Sequence, residues 1–122
     1  MNERDIAFSV AAGRVAIGAG LLAAPGLAAS GWVGRAAGAP ATQLFARATG
    51  ARDLGIGLGV IAALRGKRDL RQWLVASLIA DAADAVATLL VRDELPPVAA
   101  VNAVAVAGGS AVIDAVLLAR LD

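Results

Sequence analysis

Four stretches of this 122-residue chain, at about 6–29, 42–64, 73–91 and 98–118, are apolar enough to cross a lipid bilayer, yet seven ionisable residues lie inside or against them. A hydrocarbon core of ~30 Å takes about 20 residues of helix, and the charge-free run 15–34 alone supplies that length. A spanning segment must satisfy its backbone polar groups internally, which selects helices over open strands. The expected fold is therefore all-α: a four-helix transmembrane bundle forming a single integral membrane domain over residues 1–122.

Composition supports lipid rather than water as the solvent. Residues are 59% hydrophobic but only 3% aromatic, and 17% are charged, against ~25% charged in an average soluble domain. Soluble cores of this size use large rings to bury area, whereas small residues suit close helix contact in a membrane. The net charge of +1 offers nothing to nucleic acid. There is no cysteine and no histidine, which excludes disulfides, thiolate or imidazole metal sites, and imidazole acid–base chemistry. No cofactor and no metal is expected; any metal would have to be a hard ion held by carboxylates.

The chain start, with Glu3 and Asp5, is a poor signal-peptide n-region, and Arg14 would interrupt its apolar core. A retained first helix is expected over 6–29, kinked or ended by Pro25 and Gly26, with a loop over 31–40. The connection between the second and third helices holds Arg65, Lys67, Arg68 and Arg71, while the other face has only Arg35 and Arg92. Basic flanks stay in the cytoplasm. Both termini are thus expected inside, the chain being a multi-pass protein of the inner (cytoplasmic) membrane, with Trp73 at the inner interface and Trp32 at the outer.

Seven charges need an explanation: Arg14, Arg47, Arg52, Asp53, Asp81, Asp84 and Asp114. Measured from the cytoplasmic ends at ~1.5 Å per residue, Arg14 and Asp81 lie ~12 Å deep, Arg52, Asp53 and Asp84 ~16–18 Å, and Asp114 ~9 Å; Arg47 lies farther out. Ser77, Asp81, Asp84 and Thr88 share one stripe of the third helix at i, i+4, i+7 and i+11. Two central aspartates cost about 5–7 kcal/mol on insertion and the helix's eight Leu, Ile and Val return only about 2.5–5, so the stripe should face inward toward arginines. Arg52 and Asp53 point about 100° apart and should bridge to other helices rather than to each other. Four aspartates against Arg14 and Arg52 leave a net −2, relieved by carboxyl protonation or a cation, with Asp81 and Asp84 as the expected coupled pair. Asn102 adds a polar group in the fourth helix.

Gly55-Ile-Gly57-Leu-Gly59 lacks the third glycine and βαβ setting of a dinucleotide site, and Gly55 with Gly59 reads as helix packing instead. Gly13, Gly18, Gly20, Gly108 and Gly109 read as contact or flexible points.

Gly13-Arg14 with Gly20-Leu-Leu-Ala-Ala-Pro25, then Arg47-x-x-Gly50-Ala-Arg52-Asp53-Leu54, then Trp73 with Asp81-Ala-Ala-Asp84-Ala85, resembles a family of small four-span membrane proteins known chiefly from actinobacteria as a domain of unknown function. The resemblance covers residues 10–90 and implies the fold but no activity. A more distant likeness to four-helix DoxX-type proteins is one of architecture alone.

Three functions fit. The first is a structural or accessory membrane component whose Arg/Asp network holds helices in register. The second is a proton- or cation-linked transporter or channel, self-associating because 122 residues leave little room for a private pathway. The third is a cofactor-independent acid–base enzyme opening an epoxide, isomerising or cyclising a lipophilic small molecule, with Asp53, Asp81 and Asp84 as acid and base and Arg52 orienting them. The first predicts that no cavity reaches the carboxylates, the second a polar path to both sides, and the third an apolar pocket beside them.

Overall fold

A computed structural model describes residues 1–66 and 69–121. Lys67 and Arg68 of the basic connection fall outside the described residues. The described chain is all-α: α1 (Glu3–Ala23), α2 (Pro25–Val33), α3 (Pro40–Leu64), α4 (Leu70–Leu90) and α5 (Pro97–Arg120), with 3-10 segments at Gly34–Gly38 and Arg92–Glu94.

Helix boundaries follow from local chemistry. Asn2 caps α1 in a reciprocal box, its side chain accepting from the Asp5 amide at 2.9 Å. Asp69 caps α4 by accepting from the Arg71 amide at 3.0 Å. Pro40 and Pro97 open α3 and α5 at the first helical position, where a missing N–H costs nothing. The single first helix expected over 6–29 is instead two. Pro25 cannot continue the ladder and keeps the residue before it out of the helical region: Ala24 sits at φ −140°, ψ 68°, ending α1 and starting α2. The segment expected as a loop over 31–40 is largely helical too, passing from α2 into a 3-10 segment at Gly34. Gly34 has φ +66°, and a β-carbon there would meet the Pro96 ring at 2.7 Å; glycine alone suits both demands.

The long helices pack as antiparallel pairs, α1 along α3 and α4 along α5, joined by α3 against α4 and by α2 against α5. The α1–α3 seam is made by glycine. Gly18 faces Gly50 and Leu54, and Gly57 faces Ala11 and Val15, closely enough that a β-carbon at Gly18 would lie 2.6 Å from the Leu54 nitrogen and one at Gly57 2.9 Å from the Ala11 carbonyl. Gly55 takes no part, having nothing within 4 Å, and Gly59 packs against the Trp73 ring of α4 rather than pairing with Gly55. The expected Gly55/Gly59 pair is therefore corrected to Gly50/Gly57 on one face and Gly59 on another. The registers differ because packing follows i+7 here and not i+4.

Both described termini and the end of α3 gather at one end. There Arg4 donates to the Leu64 carbonyl, and Arg120 pairs with Glu3 at 2.9 Å.

Exposure is inverted relative to a soluble domain. The buried apolar residues are mostly alanine, with Leu21, Val60, Leu64, Leu74 and Leu117, and beside them Arg14, Asp53, Ser77, Asp81, Thr88 and Asp114 are buried. Phe8, Leu27, Phe45, Ile79, Leu90, Val101 and Val112 are among the many large side chains turned outward. Contiguous apolar surface of this extent marks a lipid or protein contact. Helices α1, α4 and α5 are long and apolar enough to cross a membrane. Helix α3 has the length, at 25 residues, but carries Arg47, Arg52 and Asp53.

Candidate functional site at the buried Arg/Asp network

Arg14 lies on the buried face of α1 with Ala7, Ala11 and Gly18, and this places its guanidinium between α3 and α4. Nη1 donates to Asp53 Oδ1 at 2.9 Å, while Nη2 donates to Ser77 Oγ at 2.9 Å and to Asp81 Oδ2. One planar fork thus ties three helices together, the geometry for which arginine is suited and lysine is not. Arg52, nearer the surface, holds Asp84 through both oxygens, Nη1 to Oδ1 at 3.0 Å and Nη2 to Oδ2 at 2.6 Å. It also reaches its sequence neighbour, donating to Asp53 Oδ1 from Nη2 at 3.0 Å and from Nε at 3.2 Å.

The inward stripe on α4 forms as its spacing requires: Ser77, Asp81 and Thr88 are buried and Asp84 is half-buried. Arg52 and Asp53 bridge to other helices as expected, to Asp84 and Arg14. They also meet each other, because the long arginine side chain folds back across the roughly 100° that separates their Cα–Cβ directions. Asp81 and Asp84, expected as a coupled pair, are held by different arginines. Asp114 on α5 has Asp81 and Arg14 as charged neighbours and lies within hydrogen-bonding reach of Ser77. Asp114 is 1% exposed, and its Oδ2 has no hydrogen-bond partner among the described residues.

Arg47 is exposed, away from the network. It follows Ala46 of the buried face of α3 and so points about 100° away from that face. Asn102 is likewise outside the ion pairs, but it lines the cleft described next.

Between α1 and α5, which touch only sparsely, a cleft of about 640 Å³ opens. Its walls are apolar or small, including Val10, Gly13 and Ile17 from α1, Val106 and Gly109 from α5, and Trp32 from α2; Arg14, Asp53, Asp81 and Asp84 form its charged floor. Glycine keeps it open: neither Gly13 nor Gly109 has anything within 4 Å of where a β-carbon would stand. Trp32 is fixed at one end by donating from Nε1 to Thr88 Oγ1 at 2.9 Å, while Thr88 donates to the Asp84 carbonyl at 2.7 Å. Pockets of ~300–1,000 Å³ with apolar walls and a few convergent polar groups are the usual form of small-molecule sites.

The cleft walls are what the sequence reasoning missed. Their signal was present: Ser9, Gly13 and Ile17 on α1, and Asn102, Val106, Gly109 and Ile113 on α5, recur at helical spacing. That spacing marks one face of each helix. It does not say that the two faces oppose across a gap.

Among the described residues no group of three or more acidic side chains is placed to hold a metal ion. Compared with family models, with curated proteins and with solved structures, the chain matches none, so its chemistry is read from the site alone.

Proposed function

We propose that this chain is a four-span protein of the inner membrane, with both termini in the cytoplasm, that takes a lipophilic small molecule from the bilayer into the α1–α5 cleft and presents its polar group to Asp53, Asp81 and Asp84. The carrying observation is the cleft itself, which joins an apolar wall to a floor of buried carboxylates. A network that served only to clasp helices would gain nothing from a cavity reaching its carboxylates. A transporter would need polar groups leading to both ends, and most of the lining outside the charged floor is apolar.

The chemistry available is proton exchange. Asp53 is held by two arginines, Asp81 by one, and Asp84 by a bidentate pair; carboxyls in such unequal settings can divide acid and base roles between them. Of the residues that carry the family resemblance, Arg14, Arg52, Asp53, Asp81 and Asp84 converge here, while Arg47 does not; kinship with the small four-span proteins is part of the proposal. Self-association finds no specific support beyond the apolar surface, which lipid suffices to cover.

The chain has no native cysteine, so a single spin label at Ser110→Cys reports the cleft alone. In nanodiscs the label should be relaxed by oxygen, which concentrates in hydrocarbon, more than by a water-soluble nickel chelate. Stronger relaxation by the chelate would mean an aqueous path and would overturn the lipid-open cleft in favour of transport.

A further inference from the structure

The hydrogen-bond inventory of the cleft floor is unequal. Asp53 Oδ1 accepts from both arginines, and Asp81 Oδ2 accepts from Arg14. Asp53 Oδ2 and Asp81 Oδ1 accept nothing from the described residues, and neither is a sealed, unpartnered atom of the kind Asp114 Oδ2 is. Both residues line the cleft. A single guanidinium holds the two carboxylates, one on each terminal nitrogen, which brings both residues to the same part of the cleft floor.

The charge count points the same way. Arg14 and Arg52 are committed to Asp53, Asp81 and Asp84, and Asp114, a charged neighbour of Asp81, forms no ion pair among the described residues. The cluster is short of positive charge and rich in free acceptors. An anionic ligand would meet a floor on which carboxylates outnumber arginines. A ligand that brings donors and positive charge answers both deficits.

We infer that the cleft takes a lipophilic amine, its ammonium donating to Asp53 Oδ2 and Asp81 Oδ1 and its hydrocarbon lying along the α1–α5 walls. This rests on the reading of the cleft as a lipophilic site and adds the class of ligand. The ammonium supplies the missing charge, and Ser9, Ser110 and Asn102, which also line the cleft, offer further oxygens to a second polar group. The apolar walls select against a small hydrated cation, which would have to shed water against Val10, Ile17 and Val106.

Decylamine and decanol, identical in chain and different in head, separate the two levels of the claim. Trp32 lines the cleft, so its emission, in a Trp73→Phe background whose fold is first checked by circular dichroism, reads occupancy in phosphatidylcholine nanodiscs. Decylamine should bind at least tenfold more tightly than decanol. Gly109→Phe, at a cleft-lining position where an added β-carbon meets nothing within 4 Å, should abolish both. Asp81→Asn should remove the preference for amine. Asp114→Asn, which breaks no arginine pair, should reduce it several-fold and serves if Asp81→Asn fails to fold.

Equal binding of the two probes, with both lost in Gly109→Phe, would overturn the amine inference and leave the cleft reading standing. Binding of neither probe, or binding indifferent to Gly109→Phe, would overturn the cleft reading and the inference with it. Competition with decylamine by phosphatidylethanolamine added to the discs would uphold the amine class and identify a lipid headgroup as its source; absence of competition would uphold it with a free amine.

Discussion

At the scale of single residues, Arg14 carries the most. It is 7% exposed and satisfies Asp53, Ser77 and Asp81 at once. Removing one partner of a buried pair leaves the other charge stranded, at about 3–5 kcal/mol. Arg14→Met is therefore expected to lower thermal stability in detergent by that order. Arg14→Lys keeps the charge but cannot bond on two ends, and should fall between Met and the wild type. Arg47→Gln is the contrast: an exposed residue outside the network should change stability by no more than about 0.5 kcal/mol. Thermal unfolding followed by circular dichroism separates the three, and equal stability of Arg14→Met and Arg47→Gln would remove the network from any account of folding. Which charges would cluster was readable from depth along each helix, since Arg14, Arg52, Asp53, Asp81 and Asp84 meet. Which would pair was not, because depth and helical phase omit side-chain length. Arg52 bends back to Asp53 as well as reaching Asp84, Asp81 goes to Arg14, and Arg47 stays out.

At the scale of elements, glycine sets the helix spacing. Gly18 and Gly50 bring α1 and α3 so close that any β-carbon at Gly18 meets backbone atoms, Leu54 N at 2.6 Å and Gly50 O at 2.7 Å. Backbone in a paired helix cannot yield as a flexible side chain can. Gly18→Leu should therefore separate the helices and cost at least the 1–3 kcal/mol typical of overpacking, and it should loosen Arg14 one turn away. Gly108→Leu, at a site with nothing within 4 Å, removes a helix-weakening glycine and should be neutral or stabilising by up to about 1 kcal/mol. Chemical-denaturant midpoints of the two variants test this, and similar midpoints would mean that the α1–α3 seam is not close-packed. The helical segments themselves were legible in the hydropathy, apart from the break at Ala24, whose cause, Pro25, was in plain view. The packing register was less so: Gly55, Gly57 and Gly59 look alike in sequence, and only the partner helix decides that Gly57 meets Ala11, Gly59 meets Trp73 and Gly55 meets nothing.

At the scale of the whole molecule, the decisive property is that the chain buries a charged network among small apolar residues and turns its large apolar side chains outward. Its accessible surface, 7006 Å² for 12.1 kDa, exceeds the about 6,000 Å² of a compact soluble chain of that mass, and the excess surface carries leucine, isoleucine and valine. Three helices are apolar enough to cross alone, and three crossings would leave the two termini on opposite sides of the membrane. The fold holds them at one end, where Arg120 pairs with Glu3 and Arg4 reaches Leu64, which favours the proposed even number of crossings. In that proposal α3 is the fourth span, its charges at Arg52 and Asp53 answered by Arg14 and Asp84, which would remove most of the insertion penalty they carry alone. The basic residues of the connection at 65–71 would then place that shared end in the cytoplasm. Fusions that end in green fluorescent protein should accordingly fluoresce after residues 66 and 122, and an alkaline phosphatase fusion should be active after residue 93. If α3 failed to cross while the start of the chain stayed inside, every one of these signals would reverse: phosphatase active after 66 and 122, fluorescence after 93. Reversal only in Arg14→Met would show that the arginine acts during insertion itself, by carrying α3 into the membrane as well as holding it there.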